Sequence, residues 1–162
     1  MKRLLLSVLT TALLGGCVVV PGHLYPVAGP LSTQTPLPIF DITLNRLQSQ
    51  AIVATLQNGE VCKGPQSQIL QSDPSANQMS AQWDLVYGQG FFQANVLGNM
   101  YLYRANLTGA SGTTLNVEFY LHAHNPPDMG TAKGIAQDNR GNVYKLTASG
   151  PSLPAAAAAP AK

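Results

Sequence analysis

The sequence predicts a mainly β domain of α+β class: an antiparallel sheet of about six or seven strands with one short amphipathic helix. Three observations carry that reading. After Thr113 the apolar residues Leu115, Val117, Phe119, Leu121 and Ala123 fall at every second position with polar ones between them, the period of a strand with one dry and one wet face. Asn58-Gly59 joins two runs rich in β-branched residues, which is a hairpin pattern. One window, residues 72–88, switches to spacings of three and four, the helical period.

The chain opens with Lys2 and Arg3 ahead of an apolar run over residues 4–14. That run is shorter than the roughly 20 residues a spanning helix needs, and Gly15-Gly16 and Pro21 interrupt it, so residues 1–16 read as an export signal. The tetrad Leu14-Gly15-Gly16-Cys17 resembles the lipobox of bacterial lipoproteins. The resemblance implies cleavage before Cys17, diacylglycerol on its thiol and an acyl chain on the new amine. With Val18 rather than Asp next in line, it further implies the outer membrane, on its periplasmic side. Each buried methylene contributes about 0.8 kcal/mol, so three chains would hold the protein on the membrane.

Residues 17–38 contain Pro21, Pro26, Pro30, Pro36 and Pro38 with Gly22 and Gly29, and read as the lipidated cysteine followed by a proline-rich tether. A single domain is expected over residues 39–149. The tail, residues 150–162, is five alanines framed by prolines, a composition with nothing to bury that predicts disorder.

Inside the domain, strands are expected at residues 39–47, 51–57 and 60–63. A type I′ turn at Asn58-Gly59 would pair Leu56 with Val61 and Thr55 with Cys62, placing Ile52, Ala54, Leu56 and Val61 on the core face. With Cys17 lipidated, Cys62 reads as a small buried apolar side chain. Asp73 caps the predicted helix, Pro74 occupies its first turn, Met79, Trp83 and Val86 or Tyr87 form its apolar stripe, and Gly88 ends it. Gly88-Gln89-Gly90 falls short of a dinucleotide fingerprint, because Gln93 stands where the third glycine belongs. Residues 96–107 predict a strand in which Val96, Met100 and Leu102 alternate with Tyr101 and Tyr103, and residues 131–146 predict a last hairpin around Asp138-Asn139-Arg140-Gly141-Asn142.

Charge narrows the function classes. Without Lys2 and Arg3 the chain keeps seven basic and seven acidic side chains, and only 10% of all residues are charged, against about a quarter in typical domains. No clustered basic patch is left, which argues against nucleic acid. The candidate chemistry lies on the polar face of the strand after Thr113. His-x-His on a strand points both imidazoles one way, so Glu118, His122 and His124 are the candidate ligands for zinc or copper, and no other cofactor is expected. Tyr120, Tyr101 and Tyr103 form the candidate interaction face. Nucleophile-elbow and phosphate-loop patterns are missing, since Gly109-Ala110-Ser111-Gly112-Thr113 lacks the glycine two places after its serine. The sequence thus points to a non-catalytic, membrane-anchored envelope lipoprotein presenting a small β domain to an envelope protein or peptidoglycan. The alternative is a periplasmic metal or small-ligand binding module using Glu118, His122 and His124.

Overall fold

The computed structural model describes residues 19–45, 51–121 and 131–150. Cys17, His122, His124, the expected export signal of residues 1–16 and the alanine-rich tail lie outside the described residues. The elements are β1 (Val19–Ala28), β2 (Phe40–Asn45), β3 (Ala51–Thr55), β4 (Val61–Gln68), α1 (Ser80–Tyr87), β5 (Leu102–Gly109), β6 (Thr114–Leu121), β7 (Thr131–Asp138) and β8 (Val143–Ser149). Every strand pairs antiparallel with its chain neighbours, and β1 also pairs with β8. The fold is mainly β with one short α-helix, but the expected sheet of about six or seven strands is corrected to a closed barrel of eight.

The additional strand comes from the segment expected to be a tether. Its burial alternates residue by residue, with Val20, Gly22, Leu24 and Pro26 facing the core. Pro21 and Pro26 fit because each lies where β1 has a partner on one side only: β2 pairs with residues 19–24 and β8 with residues 22–28. A missing N–H there breaks no second ladder. The domain therefore includes residues 19–38 and does not begin at residue 39.

Eight strands enclose an interior just wide enough for side chains to fill. Phe40, Ile42, Leu44, Ile52, Leu107, Leu115, Phe119 and Leu146 pack there, with Ala132, Ala136 and Ala148 admitting the larger rings. The β3–β4 hairpin departs from the expected turn. Gly59 N–H donates to Leu56 O at 2.8 Å and Leu56 N–H to Glu60 O at 2.9 Å. Gly59 has φ of 79°, and Asn58 does not have positive φ, whereas type I′ needs it at both central residues. The loop is thus one residue longer, Thr55 pairs with Val61 and Ala54 with Cys62. That slip turns Cys62 into the barrel and leaves Val61 49% exposed. Cys62 is a free, buried thiol, its pKa pushed up by burial and then by the charge of Glu60.

The β4–β5 connection, residues 69–101, carries α1 and lies against the outside of the barrel. Asp73 Oδ1 accepts the Ser75 N–H at 2.8 Å, so Asp73 caps the turns leading into α1, which itself starts at Ser80. Phe92–Val96 forms a wide helical turn, and the strand expected from residue 96 begins only at Leu102. Met79, Trp83, Phe92 and Val96 pack on Leu102, Tyr120 and Ile135, which point outward from β5, β6 and β7. This second core buries that arc of the barrel wall on both faces.

Chain order gives the barrel two ends. The loops β1–β2, β3–β4, β5–β6 and β7–β8 gather at one, the mouth, while the start of β1, the end of β8 and the β4–β5 connection lie at the other, the base.

Gly64 faces inward on β4, and a Cβ there would fall on the Asn106 carbonyl of β5. Gly64→Ala is expected to lower unfolding stability by about 1–3 kcal/mol through forced strand displacement, read as a fall in the chemical-denaturation midpoint.

Candidate functional site at the barrel mouth

The mouth loops enclose a cavity of about 510 Å³, within the roughly 300–1,000 Å³ typical of small-molecule sites. Its apolar walls are Pro30, Leu31, Phe40, Leu56 and Tyr144, and its polar lining is Gln57, Asn58, Thr113, Asp138, Arg140 and Asn142. A short 3-10 turn, Pro30–Thr33, brings Leu31 over the opening. Leu31 N–H donates to Asn142 Oδ1 at 2.9 Å, which ties the β1–β2 loop to the β7–β8 turn. The rings of Phe40 and Tyr144 meet edge to face, with centroids 5.7 Å apart, and floor the cavity.

Two carboxylates organise the rim. Asp138 ends β7, and its Oδ1 accepts the backbone N–H groups of Arg140 (2.9 Å) and Asn142 (2.8 Å). Its Oδ2 accepts Asn142 Nδ2 (2.8 Å) and the Tyr144 hydroxyl (2.7 Å). Burial first, and then the hydrogen bond to Asp138 and its charge, raise the Tyr144 pKa, keeping the phenol a donor. Glu60 accepts the Thr113 hydroxyl at 2.7 Å and the Ser111 N–H at 2.8 Å. The Thr113 bond is the largest of the effects that hold the Glu60 carboxyl below its ordinary pKa.

Asp138 is thus saturated by donors and acts as a scaffold. Arg140, exposed on the β7–β8 turn, makes one long hydrogen bond, 3.4 Å, from Nη2 to Thr113 Oγ1. The arrangement can seat an apolar body on the aromatic floor and meet an acceptor or anion at Arg140, with the amides of Gln57 and Asn58 beside it.

The residues singled out by sequence lie elsewhere. Glu118 points outward from β6 but is fully buried under the β4–β5 connection. Its Oε1 accepts Arg104 Nη2 at 3.1 Å and its Oε2 accepts Trp83 Nε1 at 3.1 Å. Arg104 also donates to Ser75 O (2.9 Å), Ser75 Oγ (3.0 Å) and Gln78 Oε1 (3.1 Å). Burial raises the Glu118 pKa, opposed by Arg104 and Trp83. The wet-face expectation is therefore corrected: Glu118 fastens the outer cover to the barrel and is not open to solvent. Its expected co-ligands His122 and His124 lie outside the described residues.

The tyrosine face is corrected as well. Tyr120 is buried with its ring 5.7 Å from Trp83, while Tyr103 points into the barrel and stacks on Phe119 at 5.5 Å. Tyr101 is exposed at the base. Sequence reading missed the mouth because its walls come from four loops far apart in the chain. The one local signal was Asp138 at the end of an alternating run, followed by turn residues whose N–H groups its side chain can accept.

Comparison with protein-family models, curated proteins and solved structures finds no match for this chain.

Two outcomes follow from the cover. Arg104→Met strands the Glu118 carboxylate in the apolar layer and is expected to cost about 3–5 kcal/mol at neutral pH. Because the folded-state pKa of Glu118 is raised, its charged form is the one the fold disfavours. The penalty should shrink as pH falls through that raised value, which denaturation at pH 7 and pH 4 would read; an equal loss at both would count against the ion pair. Tyr87 OH lies 3.1 Å from both Gly134 O and Leu146 O, and burial pushes its pKa up to about 12. The folded state then binds the proton more tightly than the unfolded state. Stability should fall as pH rises from about 10 to 12, and Tyr87→Phe should flatten that slope.

Proposed function

We propose that this chain is a non-catalytic, lipid-anchored envelope protein whose barrel mouth binds a small amphipathic ligand, free or carried by another envelope component. The observation that supports it is the mouth cavity of about 510 Å³, walled by Leu31, Leu56, Phe40 and Tyr144 with Arg140 at its rim. A ligand's apolar body lies against the aromatic floor, and its anionic or acceptor group meets the guanidinium. The saturated bonds of Asp138 and Glu60 hold the rim in shape before a ligand arrives, which lowers the ordering cost of binding. Support for the anchor is the lipobox resemblance of Leu14-Gly15-Gly16-Cys17.

The small-ligand alternative read from the sequence thereby moves from the face of β6 to the mouth. Its metal version draws no support from Glu118, both of whose oxygens already accept hydrogen bonds from Arg104 and Trp83. The balanced charge of the chain after its leader favours an envelope protein or peptidoglycan over nucleic acid as the larger partner.

Fluorescence titration with 1-anilinonaphthalene-8-sulfonate, followed by displacement with decanoate, tests the site. Saturable single-site binding is expected. Arg140→Gln should weaken decanoate about tenfold, the factor that 1.4 kcal/mol carries, and Leu56→Asp should abolish both signals. Non-saturable binding, or affinities that neither substitution changes, would overturn the reading.

A further inference from the structure

We infer that the base of the barrel rests directly on the lipid bilayer, with Leu70, Met100 and Tyr101 in its interfacial layer and the mouth facing away. The inference rests on the proposed lipidation of Cys17 and deepens it, because the fold determines how far the anchor lies from the domain. β1 starts at Val19, two residues after Cys17. Two residues reach at most about 7 Å. The proline-rich stretch that would have lifted the domain off the membrane is built into the barrel wall as β1. A lipidated Cys17 therefore brings the base, where β1 enters, against the headgroups.

The rim of that base suits a lipid surface. Leu70 is 62% exposed, Met100 67% and Tyr101 40%. They lie side by side, because Ile69 N–H donates to Leu102 O at 2.9 Å and Gln68 Nε2 donates to Met100 O. Exposed Val19 lies at the same end on β1, across the barrel from β5. Residues 64–72 and 85–103 contain no charged side chain. The nearest charge to Leu70 along the chain is exposed Asp73, whose N–H donates to Leu70 O at 2.9 Å, so Leu70 enters the interface with that carboxylate kept in the headgroup layer, where its desolvation is avoided. A tyrosine with an apolar body and a polar tip belongs at headgroup depth.

The mouth also exposes Leu37, Ile39 and Val61. On the outer wall, however, Ile39 is followed two residues on by Asp41 and Val61 by Lys63, and they lie a barrel length from the anchor. Ten residues of β1, rising about 3.3 Å each and tilted about 40°, set the mouth roughly 25 Å above the base. The ligand cavity then opens to the aqueous space and draws its ligand from there, not from the bilayer beneath.

The test uses the full chain processed in a bacterial cell and reconstituted into phosphatidylethanolamine–phosphatidylglycerol vesicles. In a Cys62→Ala background, Leu70→Cys, Met100→Cys and Asn58→Cys are each labelled with a nitroxide, and accessibility to oxygen and to a nickel chelate is read by electron paramagnetic resonance. Mass spectrometry of the Cys17 peptide is run on the same samples. With Cys17 lipidated, several-fold lower nickel access at positions 70 and 100 than at 58 supports the inference. Equal access at all three positions, or protection at 58 instead, overturns it while leaving the anchor intact. A Cys17 without lipid overturns the anchor reading and this inference with it. Protection at 70 and 100 that persists in an unlipidated Cys17→Ser chain without vesicles would mean that protein, not lipid, covers the base, and would also overturn it.

Discussion

The pairing of β1 with β8 is the contact on which the rest of this structure depends. It runs from Gly22–Ala148 to Ala28–Val143 and turns an open meander, which would present two unpaired edges, into a barrel without any. Closure gives the interior a single core that includes Val20, Leu24, Leu146 and Ala148 from the two closing strands. It also carries the β1–β2 loop to the β7–β8 turn, where Leu31 bonds to Asn142. Without that approach the mouth would have no wall on one side and no cavity. Below Gly22 the start of β1 is held at the base by β2 alone, through residues 19–21.

A chain with so few charges places the ones it has with care. Three carboxylates illustrate how surroundings decide what a carboxyl group does. At the mouth, Glu60 accepts from Ser111 and Thr113 of the β5–β6 turn, which favours its charged form and ties two turns together, while Asp138 accepts from Arg140, Asn142 and Tyr144 and fixes the β7–β8 turn it begins. Glu118 is enclosed between the barrel wall and the outer cover, where desolvation outweighs its bonds to Arg104 and Trp83. Its contribution is orientation: the guanidinium reaches from Glu118 to Ser75 and Gln78 and fixes where the cover lies on the wall. That cover makes the wet face of β6 dry, and it excludes both Glu118 and Tyr120 from the surface.

Local patterns were legible where one local force dominates. The Met79 and Trp83 stripe marks the face of α1 that packs, and Gly88 ends the helix with a φ of 106°. The alternation from Leu115 to Leu121 identifies β6 and its inward face correctly. Where two forces compete, the reading failed. Asn58-Gly59 signals a hairpin, yet the barrel selects the longer loop that turns Cys62 inward. Prolines 21 and 26 argue against a strand, yet each stands where β1 has a ladder on one side only. The mouth was not legible, because Leu31, Leu56, Thr113 and Arg140 come from four separate connections and no spacing along the chain relates them.

By itself the sequence determined the elements that periodicity and turn chemistry specify: a mostly antiparallel β domain, one packed helix and the position of β6. It also determined the low charge and the lipobox-like tetrad, which are properties of composition and order alone. Tertiary structure decided the number of strands, the closure, the register of the β3–β4 hairpin and the fate of each strand's second face. Alternation tells which residues share a face but not what lies against it, and that depends on contacts between segments distant in the chain. The cavity at the mouth exists only once the first and last strands have paired.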